Sequence, residues 1–136
     1  MSARIVLVTN NQKFLSKVPS TEFIDGSSWD VLVRVRDMIH EGWELVSHPL
    51  YGNLRPYQQP FRSAVLTFEK PGSTRKIDEY SLNLIEHALS VYRSCSDRLL
   101  LRGVLPEATE MDYAFMDMEL LKNTLAQYGL VSDQTI

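Results

Sequence analysis

The chain has 136 residues, 44% of them hydrophobic and 23% charged, which is the make-up of one globular domain able to bury roughly two-thirds of its unfolded surface. Its net charge is -3 and its basic residues are scattered, so no nucleic-acid footprint is present; no apolar run approaches the roughly 18 residues of a membrane span. The single cysteine, Cys95, excludes a disulfide within the chain. Together with an N-terminal apolar run too short for a signal peptide, it leads to the expectation of a cytoplasmic protein.

Arg4–Thr9 (RIVLVT) is a continuous β-branched run, the pattern of a strand covered on both faces. Asn10-Asn11 ends it. Gln12–Val18 is expected to form one or two helical turns with Phe14, Leu15 and Val18 inward, stopped by Pro19. Glu22–Asp25 reads as a short strand. Ser27 or Ser28 is a candidate N-cap for a helix from Trp29 to about Glu41, with Leu32, Val35, Met38 and Ile39 at helical spacing and Gly42 as its stop. Trp43–Ser47 reads as the next strand. Phe61–Glu69 reads as another, and its alternation suits a half-covered one.

Pro71-Gly72-Ser73 is a turn signal. A long helix follows from about Ile77 to Ser94, burying Ile77, Leu84, Ile85, Ala88, Val91, Tyr92 and Cys95. Leu99–Leu101 either extends it or forms a short strand; the pattern leaves both open. Thr109 with Asp112 resembles a cap for the last helix. There Met111, Ala114, Phe115, Met118, Leu121, Leu125 and Tyr128 form the inward stripe, and Asp112, Asp117 and Glu119 read as a solvated face. Met111, Met116 and Met118 read as core packing, with a homodimer through this helix as the other option. The domain is expected to span 1–129, with 130–136 a frayed tail.

Strands alternating with helices in the first half, and two helices closing the second, argue a layered single-domain α/β fold. The sheet is expected to be small and mostly parallel. The stretch Ser47–Phe61 lacks a crossover helix, so the strand after it is expected to pair antiparallel at an edge.

The long segment Leu45–Ser63 holds His48, Gly52-Asn53, Arg55, Arg62, three prolines and the aromatics Tyr51, Tyr57 and Phe61. A loop this long in a small domain is usually functional or disordered, and the prolines and aromatics argue for order. Ligands of open α/β sheets bind beyond the carboxyl ends of the strands. If the strands ending at Thr9 and Ser47 are parallel neighbours, Asn10, Asn11, Ser47, His48, Gly52, Asn53 and Arg62 gather at one rim. Asn amides donate and accept, Gly-Asn can turn backbone N–H groups into one concavity, and Arg forks suit carboxylate or phosphate. That set fits a small anionic or zwitterionic ligand. The plainer readings are turn chemistry for Asn-Asn and Gly-Asn and a loop hydrogen bond for His48. His40, His48 and His87 lack metal-ligand spacing, and there is no phosphate loop, dinucleotide fingerprint or nucleophile elbow. No metal and no cofactor are therefore expected.

Several blocks resemble the GrdX-type proteins, small proteins encoded with glycine reductase in amino-acid-fermenting bacteria. They are Thr9-Asn10-Asn11, Asp25-Gly26-Ser27 with Asp30-Val31-Leu32, the run Val35–Gly42, His48-Pro49-Leu50, Gly52, Pro56, Pro60–Ser63 and Asp112–Leu121. The resemblance spans about Arg4 to Tyr128. It implies a cytoplasmic accessory role near glycine, sarcosine or betaine reductase systems, and it carries no catalytic residues with it.

The leading expectation is a non-enzymatic accessory domain that binds a small anionic ligand or a partner protein at the rim. The rival is a small-molecule hydrolase or transferase with His48 as acid or base and Asn10 or Arg62 stabilising negative charge. A third is a partner protein anchored by Leu50, Tyr51, Leu54 and Tyr57.

Overall fold

The computed structural model describes residues 4–50, 58–68 and 76–130. The Pro71-Gly72-Ser73 turn, the loop residues Tyr51, Gly52, Asn53, Leu54, Arg55, Pro56 and Tyr57, and the tail from 131 lie outside the described residues.

The run RIVLVT forms strand β1, Arg4–Thr9. A 3-10 turn over Gln12–Phe14 leads to β2, Thr21–Phe23. Helix α1, Ser28–His40, is followed by the short β3, Glu44–Leu45, and then by β4, Ser63–Phe68. Helices α2, Glu79–Ser94, and α3, Glu107–Gln127, complete the described chain. The strand order is β2-β1-β4-β3.

The sheet is mixed rather than mostly parallel. Among the described residues only β1 and β2 pair parallel; β4 runs antiparallel to both β1 and β3. The expected antiparallel return after Ser47–Phe61 is present, but it enters the middle of the sheet and not its edge. The reason is burial. Ala64, Val65 and Leu66 are all fully buried, so β4 needs cover on both faces and partners on both sides. The half-covered reading of its alternation is corrected accordingly. As a result β1 and β3 share a direction but are not neighbours; β4 separates them by two strand spacings, about 9–10 Å.

Odd and even residues of β1 and β4 face opposite layers. Val8, Ala64 and Leu66 meet α1 and α2 through Val31, Leu32, Val35, Ile39, Ile85, Ala88 and Leu89. Leu7 and Val65 meet Phe14, Val18 and the α3 residues Met118, Leu121 and Leu125. Helices thus cover both faces.

α1 begins with a capping box: the Ser27 hydroxyl accepts from the Asp30 amide, and the Asp30 carboxylate accepts from the Ser27 amide. It stops at Gly42, whose φ of 107° is left-handed territory that glycine enters without penalty. Arg34 of α1 is paired with Glu22 of β2, and that hydrogen-bonded carboxylate holds the guanidinium pKa above its ordinary value.

Other expectations need correction. Leu15 and Ile77 are exposed, the first because only one tight turn forms and the second because it precedes the start of α2. Leu99–Leu101 is neither helix nor strand; α2 ends in a 3-10 turn, Ser96–Arg98. α3 starts two residues before Thr109, behind Pro106 and without a side-chain cap, with Glu107 and Glu110 supplying first-turn negative charge. Met111, Phe115 and Met116 are exposed, while Asp117, read as solvated, is fully buried.

Candidate functional site

The polar residues at the carboxyl end of β1 are buried, and each has a structural task. Thr9 lies opposite the first residue of β4, Ser63, and their hydroxyls are 2.7 Å apart. Asn10 uses its whole amide. Its Nδ2 donates to the carbonyls of Gly26 and Pro60 at 3.1 and 3.0 Å, and its Oδ1 accepts from the Arg62 amide at 2.9 Å. Asn11 caps the following 3-10 turn through Oδ1, and its Nδ2 donates to the Ala114 carbonyl and to Asp117 Oδ2. Asp117 also accepts from the Ser63 hydroxyl at 2.8 Å, and Gln59 Nε2 reaches its other oxygen at 3.4 Å. One carboxylate on α3 therefore gathers β1, β4 and the chain entering β4.

Arg62 lies on the other side of the sheet. It is 1% exposed, and its Nε donates to the Tyr92 hydroxyl of α2 at 3.2 Å. Ser47 extends the β3–β4 pairing, its hydroxyl accepting from the Val65 amide. His48 is exposed, and its Nδ1 accepts from the Leu50 amide at 3.0 Å, the loop-type bond of the plainer reading. Of the expected rim residues, the structure brings Asn10, Asn11 and Arg62 together around the β1–β4 junction. Ser47 and His48 stand across β4 from them, and Gly52 and Asn53 lie outside the described residues.

Beside the network opens a cleft of about 330 Å³, lined by Asn11, Lys13, Phe61, Arg102, Glu107, Glu110 and Met111 among others. Its charged residues come from three places: Lys13 from the 3-10 turn, Glu107 and Glu110 from the first turns of α3, and Arg102 from the segment joining α2 to α3. Arg102 is clamped over the end of β1. It donates to the Asn10 carbonyl at 3.2 Å and to Asp25 at 2.7 Å, and its guanidinium carbon sits 5.7 Å from the centre of the Phe23 ring. Its Nε is buried with no hydrogen-bond partner among the described residues. Glu110 accepts from the Gly103 amide, which fixes the same segment from the other end.

Sequence reasoning missed Asp117, Gln59 and most of the cleft. A signal for Asp117 was present. It stands three residues after Ala114 and four before Leu121, inside the apolar stripe, and a charge there marks a buried polar contact. Arg102 gave no signal, since its segment has no periodicity and its role depends on long-range packing.

The model of the GrdX-like protein family matches residues 6–126, which takes in this whole network and the cleft. The chain belongs to the GrdX-like family. That membership associates it with glycine reductase as an accessory protein. No curated protein and no solved structure matches the chain. Among the described residues of this GrdX-like chain, no helix is long and apolar enough to cross a membrane, and no group of three His, Cys, Asp or Glu is placed to hold a metal.

Proposed function

We propose that this GrdX-like chain is a non-enzymatic accessory protein of a glycine, sarcosine or betaine reductase system, and that it binds a small zwitterionic ligand in the cleft at the end of β1. The observation that carries the reading is the cleft's charge: Lys13 and Arg102 offer donors to a carboxylate, and Glu107 and Glu110 offer acceptors to a cationic nitrogen. Its volume suits a molecule of few heavy atoms, and Phe61 and Met111 supply apolar contact. Asn11 lines this site, and Asn10 and Arg62 serve it from behind by fixing the β1–β4 junction. Ser47 and His48 stand across β4 from the cleft, where a larger ligand or a protein partner would reach them.

A hydrolase or transferase using His48 ranks second. The His48 ring is exposed and bonded to its own loop, and no positioned acid or base partner stands beside it among the described residues.

Glycine, betaine, acetate and phosphate titrated into isotope-labelled protein provide the test. The two zwitterions are expected to shift the amides of Asn11, Lys13 and Glu107–Met111, with Lys13→Ala weakening them roughly tenfold, the loss of one charge-assisted hydrogen bond. Acetate and phosphate are expected to act more weakly. Silence from all four compounds, or an unchanged Lys13→Ala response, overturns the reading.

A further inference from the structure

The outer face of α3 concentrates the uncovered apolar surface of the described chain. Of its nine exposed large apolar side chains, four lie on α3, Met111, Phe115, Met116 and Leu120, and two more, Leu101 and Val104, on the segment leading into it. Phe115 is 60% exposed, although nothing in a ligand cleft or a turn requires an aromatic ring there. α1 carries no exposed large apolar side chain and α2 carries one, Tyr80 in its first turn, whereas α3 carries four: Ala114, Met118, Leu121 and Leu125 point inward, Met111, Phe115, Met116 and Leu120 outward. A cluster of exposed apolar side chains on one helix face, set among charges, is the kind of surface that meets a partner.

The charge on that face says which kind of body. Asp112 and Glu119 are exposed beside the apolar residues, Glu107 lies just before them, and the one base in α3, Lys122, is 3.7 Å from Glu119. A second copy fits poorly. Two α3 helices crossing antiparallel about Phe115 and Met116 set Asp112 of one against Glu119 of the other, twice, and a parallel pair sets each acid against itself. Lys or Arg beside apolar anchors satisfies both features of the face.

We propose that the outer face of α3 docks a partner protein through an amphipathic segment carrying Lys or Arg next to apolar anchors. Phe115 is the central anchor, flanked by Met111, Met116 and Leu120, with Asp112 and Glu119 selecting the basic partner and excluding acidic ones. The proposal rests on a different observation from the cleft. Met111 touches both, but neither needs the other occupied.

The probe is a short helical peptide of leucine and lysine at amphipathic spacing, with a leucine–glutamate peptide of the same pattern as its counterpart. Each is titrated into the full chain while backbone amide shifts are followed. The lysine peptide is expected to shift amides along α3 from Glu107 to Asn123, and to bind more weakly as salt is raised. Phe115→Ser and the pair Asp112→Lys with Glu119→Lys are each expected to weaken it by about tenfold or more. All three positions are exposed, so thermal melting of both variants serves as the folding check and is expected to stay near that of the parent. Equal response to both peptides, shifts away from α3, or indifference to the variants overturns the proposal. So does a dimer in sedimentation that Phe115→Ser dissociates, because the occupant is then a second copy.

Discussion

The two faces of the sheet are covered by different physics. Against α1 and α2 the contact is dry over most of its area: Val8, Ala64 and Leu66 pack on aliphatic side chains of both helices, and the Arg62–Tyr92 hydrogen bond lies at the start of β4. Against α3 the cover is divided. Its second half packs Met118, Leu121 and Leu125 on Leu7, Phe14 and Val65, while the turns before it lie over Asn11, Ser63 and the Asp117 carboxylate. An apolar layer tolerates repacking as long as volume is kept, whereas a buried polar network holds one arrangement or loses its hydrogen bonds. The dry face therefore supplies stability. The wet half of the other face fixes where α3, the Arg102 segment and the mouth of the cleft stand relative to β1.

The largest test of that contrast is Leu32→Ala on the dry face. Leu32 is fully buried between helix and sheet, and its truncation is expected to cost about 3–4 kcal/mol in urea unfolding. Amide shifts around Asn11 and Asp117 should stay in place, because the network is on the far side of the sheet. Asp117→Asn comes next, at about 2–3 kcal/mol. The side chain keeps its shape, but its new NH2 meets the amide of Asn11, the hydroxyl of Ser63 or the amide of Gln59, all of which donate to the carboxylate in the parent. Here the shifts at Asn11 and at Glu107–Met111 should move together. A neutral Asp117→Asn would mean that the carboxylate does not organise the face, and the distinction between the two layers would fail.

What was legible from sequence follows the same division. β1, α1 and α2 were readable because burial on a dry face leaves a period in the chain: a β-branched run, or apolar residues every three or four positions. The stops at Asn10-Asn11 and Gly42 were readable because they rest on local backbone chemistry. The place of β4 was not. Which strand it inserts beside is decided by pairing across more than fifty residues, as with Thr9 and Ser63, and nothing near either residue records the partner. The placement of the rim residues was half readable for the same reason. Asn10, Asn11 and Arg62 do meet, but as donors and acceptors turned inward, and the cleft takes Lys13, Arg102, Glu107 and Glu110 from segments where composition gave no pattern. α3 was read first as core, with a dimer face as the other option. Taking Met111, Phe115 and Met116 as core, and Asp117 as solvated, obscured both its outer apolar side chains and the carboxylate inside its stripe.

The smallest effect expected is at the start of α1, and it asks how closely the dry face is tied to the wet one. Ser27→Ala removes the hydroxyl that accepts from the Asp30 amide and should cost about 1 kcal/mol, the usual worth of an N-cap. The Asp30 carboxylate still accepts from the Ser27 amide, so the chain entering the helix keeps one of its two ties. Next to that tie is Gly26, where a Cβ would overlap the Asp30 carboxylate and whose carbonyl accepts from Asn10 Nδ2. The cap of α1 and the amide at the end of β1 thus share one short piece of backbone. If the surviving Asp30 bond holds Gly26 in place, hydrogen exchange should quicken at Asp30 and Val31 and stay unchanged at Asn10 and Arg62. Faster exchange at Arg62, whose amide donates to Asn10, would show that the cap of α1 also supports the network at the end of β1 and that the two layers are not separate after all.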